Sequence, residues 1–185
     1  MDPSEPQLAT PLPARLCRVL AGMECGICGG FAFVTWMLVH SWMRGELWWA
    51  KLNVAGALFF GSAVYSMGRG WATLAGLSLL LVLYASLGAL FGLIASTRGI
   101  SRNLVLGILL ALSFHLLADR FLWRRLDPFA PAYFPPLATL PGHMLYGLSL
   151  IRFSGRFNAL SAAFAPPAPA DEIDSNSSTS SEVDC

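Results

Sequence analysis

The stretch WATLAGLSLLLVLYASLGALFGLIAS, Trp71–Ser96, runs 26 residues without one charged side chain. As a helix rising 1.5 Å per residue it is roughly 39 Å long, more than a hydrocarbon core of about 30 Å requires. A soluble domain has no use for a uniformly apolar helix of that length. The stretch predicts a membrane crossing, and the rest of the chain is read outward from it.

On the N-terminal side lie two more apolar segments. The first runs from Val19 to Met43 with only Glu24 charged, behind Arg15 and Arg18. It is too long for the apolar region of a cleaved signal and reads as an uncleaved anchor. The second, Leu52–Met67, would reach only about 24 Å as a helix, so it either spans a thinned region or re-enters. Between them Trp42, Trp48 and Trp49 stand beside Arg44 and Lys51. Tryptophan beside a base is suited to the membrane interface, where an indole sits half wet. Trp71 and Trp123 are read in the same way, as interface anchors at segment edges.

Past Arg98 and Arg102, a fourth segment runs from Asn103 to Leu122 with His115, Asp119 and Arg120 in its last turns. Trp123, Arg124 and Arg125 follow as further anchors. The prolines at 128, 131, 135 and 136 then forbid a long regular helix. A fifth segment, Leu137–Ile151, contains Pro141, with Thr139 expected to cap its helix. The fold class is therefore all-α, an integral membrane bundle of four to five apolar segments, one of them short or re-entrant. The domain limits are a disordered tail over 1–14, a helical domain over 15–157 and a disordered Pro-, Ser- and acid-rich tail over 158–185.

Composition agrees. Hydrophobic residues make up 55% of the 185 and charged ones only 12%, with mean hydropathy +0.58, against about 25% charged in soluble domains. The net charge of +1 hides a segregation. Seven of the eleven acids lie in the tails, whereas all twelve bases lie between Arg15 and Arg156. A basic body suits anionic lipid head groups. The bases are scattered over segment edges rather than gathered on one face, which argues against nucleic acid as a partner.

The bases also bear on orientation. If all five segments cross, six fall on each side; if the fifth does not, the count is eight to four and places the N terminus in the cytoplasm. If the second re-enters and the others cross, the count returns to six and six. The expectation taken forward is an N terminus on the cytoplasmic side.

Three groups of residues invite chemistry. Gly22, Gly26 and Gly30 share one helical face, as do Gly88 and Gly92. Such spacing lets backbones approach closely, either within one bundle or between copies. Cys25 and Cys28, at i and i+3, share a face suited to a soft metal or a redox pair, or serve as small apolar residues among glycines. His115 and Asp119, at i and i+4, are placed to hydrogen-bond. With His40 and His143 they are candidates for a metal or proton-relay site, or they rest near segment ends with Asp119 paired to Arg120 or Arg124. Cys185 ends the chain without the three further residues of a prenylation box. No catalytic motif accompanies any of these groups, and no cofactor is implied.

The segment NVAGALFFGSAVYSMGRGWATLAGLSLLLVLYASLGALFGLI from Asn53, a small-residue first helix and Trp-rich bend before it, and PGHMLYGLSL near the end resemble small bacterial inner-membrane proteins of YagU-like build. The resemblance covers Ala21 to Arg152. It implies a bacterial inner-membrane bundle and carries no catalytic residue.

Three functions fit the sequence. The first is a non-enzymatic accessory or self-associating membrane component, whose partners are the lipid bilayer and a homo-oligomer or larger membrane complex. The second is a small transporter or channel lined by Thr35, Ser62, Ser66, Ser78, Ser86 and Ser113. The third is a membrane enzyme or redox protein using His115 and Asp119.

Overall fold

The computed structural model describes residues 13–126 and 129–165, and within them every regular element is helical. The tail expected over 1–14 lies almost entirely outside the described residues, as do Asp127 and all of the acid-rich segment from 166. The helices are α1 (Ala14–Met43), α2 (Ala50–Ala55), α3 (Ala57–Phe60), α4 (Trp71–Ile94), α5 (Ile100–Leu117), α6 (Trp123–Leu126), α7 (Ala130–Tyr133), α8 (Pro136–Ser149) and α9 (Phe153–Ala163). A π-turn over Ala118–Leu122 joins α5 to α6, and a 3-10 turn over Leu150–Arg152 joins α8 to α9. Three runs are long and apolar enough to cross a membrane: Ala14–Met43, Trp71–Ile94 and Ile100–Arg125. Their outward faces carry Phe31, Val82, Leu90, Leu109 and Leu116, each more than half exposed. An apolar exterior of this extent belongs in lipid.

α1 is the axis of the bundle. It packs antiparallel to α4 on one side and to α8 on the other, while α5 packs on α8. α1 therefore begins at the same end, here called proximal, at which α4 finishes, α5 starts and α9 ends. At the distal end lie the 44–70 connection and the 118–136 connection. The two glycine rows meet between α1 and α4. A Cβ on Gly22 would strike the Gly88 carbonyl, and one on Gly26 would strike the Tyr84 carbonyl and come within 2.9 Å of the Gly88 Cα. Gly92 in turn lies against the Arg18 carbonyl.

Leu52–Met67 is not one helix. It breaks into α2, α3 and a 3-10 turn, with Gly61 at φ +57°, a left-handed conformation that glycine adopts without strain. Asn53 Nδ2 donates to the carbonyls of Met67 (3.0 Å) and Gly68 (3.2 Å), so this segment ends beside its own beginning. Its buried Asn53 is satisfied locally on both sides of the amide. Thr73 Oγ1 donates to Asn53 Oδ1 at 2.6 Å and accepts from the Gly70 N–H at 3.2 Å. At the proximal end Asn103 performs a similar service for the α4–α5 turn. It accepts from the Ser96 N–H (2.9 Å) and donates to the Ser96 carbonyl (2.7 Å) and to Ser154 Oγ (3.0 Å).

Several details differ from those read in the sequence. Thr139 does not cap the fifth segment. The helix opens at Pro136 behind Pro135, the fixed proline φ pre-forming its first turn, and Thr139 Oγ1 donates back to the Pro136 carbonyl at 3.2 Å. The helical domain also extends past 157, because α9 continues to Ala163. Trp123, expected as a surface anchor, is only 4% exposed and stacks on Phe134 with ring centroids 4.1 Å apart. Burying so large an apolar ring outweighs what its N–H gains at an interface. Arg124 and Arg125 beside it stay exposed, as do Trp42, Trp48 and Trp71, and Trp49 is half-buried.

Candidate functional site

The antiparallel register brings two histidines together at mid-height of the bundle. α8 carries His143 and α5 carries His115, and their rings meet edge to face with centroids 5.0 Å apart. His143 is 1% exposed and His115 7%. Their surroundings are aromatic: Phe33 of α1, Tyr84 of α4, Phe114 of α5 and Tyr146 of α8. The hydrogen bonds fix the state of His143. A carbonyl can only accept, so Nδ1–H donates to the Thr139 carbonyl at 2.9 Å. Nε2 is then the lone-pair nitrogen and accepts from the Tyr84 hydroxyl at 3.3 Å. Tyr146 O–H completes the layer by donating to the Tyr84 carbonyl at 3.3 Å. His115 Nδ1 is the exception, a buried nitrogen with no hydrogen-bond partner among the described residues.

The other sequence candidates do not join this centre. Asp119 pairs with Arg120 at 3.7 Å instead of bonding His115. The π-turn begins at Ala118, so Asp119 no longer follows the α-helical register that places i and i+4 on one face. Cys25 is buried against α8, where Ser149 Oγ donates to its carbonyl at 3.3 Å, whereas Cys28 is exposed. Among the described residues no group of three or more His, Cys, Asp and Glu side chains is arranged to hold a metal.

His40 lies in a second cluster at the distal end. Lys51 is 4% exposed, and its ammonium donates to Ser41 Oγ (2.8 Å), Glu46 Oε2 (2.8 Å) and His40 Nδ1 (3.1 Å). A buried ammonium is tolerated only when its charge and donors are met, and here all three donors are. Glu46, in the loop after α1, is held below its ordinary carboxyl range, first by the hydrogen bond from Lys51. Beside this cluster opens a cleft of about 370 Å³, lined by His40, Arg44, Glu46 and Lys51 on one side and Tyr133 and Leu137 on the other.

Sequence reasoning missed Tyr84 and Lys51. Tyr84 sits inside an apolar run where a tyrosine attracts no notice. Lys51 had one signal, that it is the single lysine among twelve bases. Comparisons with protein families, with curated proteins and with solved structures found no match for the chain.

Proposed function

We propose that the protein is a small polytopic membrane component without enzymatic activity, crossing the membrane four times and working as an accessory or self-associating part of a membrane assembly. The fourth crossing is the continuous helical run from Pro136 to Ala163, antiparallel to α1, and Leu52–Met67 is the re-entrant segment. The observation that carries this reading is the direction of the hydroxyls. Thr35, Ser62, Ser66, Ser78, Ser86 and Ser113 all face outward, and Ser86 and Ser66 bond carbonyls of their own segments, Val82 at 2.8 Å and Ala63 at 3.0 Å. A pore requires such groups along an inner path. The inner path is filled instead by Phe33, Tyr84, Phe114, His143 and Tyr146.

Because both glycine rows are occupied within the chain, self-association would use another face. With four crossings the bases divide six and six between the two ends, so the eight-to-four count that places the N terminus in the cytoplasm does not apply, and a bacterial inner membrane rests on the YagU-like resemblance. Native mass spectrometry of protein extracted in mild detergent tests the reading. A stoichiometric homo- or hetero-assembly is expected, unchanged in His115→Ala and Asp119→Ala and lost in Gly26→Leu, where the α1–α4 packing that presents the other face fails. A monomer carrying a fixed complement of metal or haem, or ion flux through proteoliposomes, overturns it.

The unpartnered His115 Nδ1 favours a second reading, acid–base or redox chemistry at the His115–His143–Tyr84 centre. In that case His115→Phe leaves the protein at least as stable as wild type while abolishing the cellular function scored by complementation.

A further inference from the structure

Between α1 and α4, towards the distal end, lies a lateral groove of about 540 Å³. Its floor and walls are Phe31, Val34 and Leu38 of α1 with Leu74 and Leu77 of α4, and Leu52 of α2 closes its inner side. Phe31 and Leu74 are more than half exposed, so the groove opens on the outer surface of the bundle rather than into its core. Along α1 it extends roughly 10 Å. At its distal mouth stand Arg69 and Trp48, the guanidinium 6.0 Å from the indole ring centroid. No ion pair among the described residues uses Arg69.

We propose that this groove is a binding site for one phospholipid, with an acyl chain lying against Phe31, Val34, Leu74 and Leu77 and the phosphate on Arg69. The geometry supplies both halves of such a molecule in the right order. An apolar trough runs along the helices at membrane depth, and a single cation with no carboxylate partner stands where the trough meets the tryptophan-bearing connection. Arginine is suited to phosphate because its planar fork donates two parallel hydrogen bonds. The nearby Trp48 fits the glycerol level, where an indole has one apolar face and one polar edge. Three other features do less. In the Lys51 cleft both Lys51 and Arg44 already pair with Glu46, the histidine centre is sealed, and the outward groove by Phe59 and Phe60 has no charged lining residue. The site does not depend on whether the protein has a protein partner.

The test is lipid retention by the full chain, purified in a mild non-ionic detergent and read by native mass spectrometry after titration with phosphatidylglycerol or with diacylglycerol. Wild-type protein is expected to keep one phosphatidylglycerol per chain through repeated washing. Arg69→Gln lowers that retention about fivefold and leaves diacylglycerol binding unchanged. Thr35→Trp, which fills the groove from an exposed position, removes binding of both lipids. Both variants change exposed residues, and an unaltered melting temperature confirms that each is folded. Retention equal to wild type in both variants overturns the site. So does loss of retention in an Arg124→Gln/Arg125→Gln variant while Arg69→Gln keeps its lipid, which would place the lipid at the other basic edge. An equal fall for both lipids in Arg69→Gln overturns the role given to the guanidinium.

Discussion

The two ends of the α1–α4 pair are built on different principles. At the proximal end, Gly22, Gly26, Gly88 and Gly92 put backbone against backbone, with no side chain between the helices. Towards the distal end Gly30 faces the side chains of Tyr84 and Leu81 instead, and Gly76 is occupied by the Leu52 carbonyl of α2. There α2 packs on α4, with Asn53 bonded to Thr73, and the groove lies between α1 and α4 beside Leu52. In lipid, where apolar surface is no reason for helices to associate, close backbone contact is one source of affinity and internal hydrogen bonding another. This molecule uses the first at one end and the second at the other.

The sharpest way to break the comparison is Gly88→Leu. Its Cβ would overlap the Gly22 carbonyl and lie 2.6 Å from the Gly26 Cα, and no flexible side chain is there to yield. A loss of about 3 kcal/mol or more is expected, seen as disappearance of the monodisperse peak in size-exclusion chromatography. Gly30→Ala tests the same helix pair from the α1 side, where the neighbours are side chains, at 3.0 and 3.3 Å. It should lower stability by less than about 1 kcal/mol, measured as a small shift in melting temperature.

At the distal end Asn53→Leu removes the partner of Thr73 and of two carbonyls. The expected loss is about 1–3 kcal/mol, with hydrogen exchange accelerating over residues 50–70 and not over 20–30. A uniform acceleration would mean that the two ends are not independent. Glu46→Gln sits lower on the scale, at about 1 kcal/mol, because Glu46 is partly exposed and water screens the pair. This contribution depends on pH. A carboxyl depressed by its hydrogen bond stabilises the fold fully above its ordinary value of 4.5 and stops doing so as pH falls through the lower folded value. The difference between wild type and Glu46→Gln should therefore vanish in acid, which a denaturation series from pH 7 to pH 3 would check. The smallest effect belongs to Trp42→Ala, 80% exposed, within about 0.5 kcal/mol in detergent.

How far the sequence reveals this arrangement depends on whether one segment or two must be known. Trp71–Ser96 is legible alone, since a long uncharged apolar run admits one structure. The glycine rows are legible as close-packing surfaces, but nothing in their spacing pairs Gly22 with Gly88. The break in Leu52–Met67 is legible as a short segment. Its dependence on Asn53 is not, because an asparagine beside an apolar run looks the same whether it faces water or a carbonyl. His143 reads as a residue near a segment start because Pro141 suggests a late helix; opening that helix at Pro136 sets it a turn deeper. Asp119 reads as a partner of His115 under regular winding, and a single π-turn undoes that. Lys51 shares its cleft with residues more than eighty positions later, at Tyr133 and beyond, which no local pattern anticipates.

The central position of α1 has a consequence for biogenesis. α1 has two faces to cover and precedes both of its partners in the chain, the second of which, α8, follows α4 and α5. α4 can cover the glycine face as soon as it is inserted. The face bearing Cys25, Gly29 and Phe33 must wait for Tyr146 and Gly142. Until then α5 also lacks its main neighbour, since it packs on α8 far more than on α4. The nascent chain is thus a hairpin and a loose helix, and a single late segment joins them. Damage to Pro136–Ser149 would leave the α1–α4 hairpin with nothing to join α5 to it.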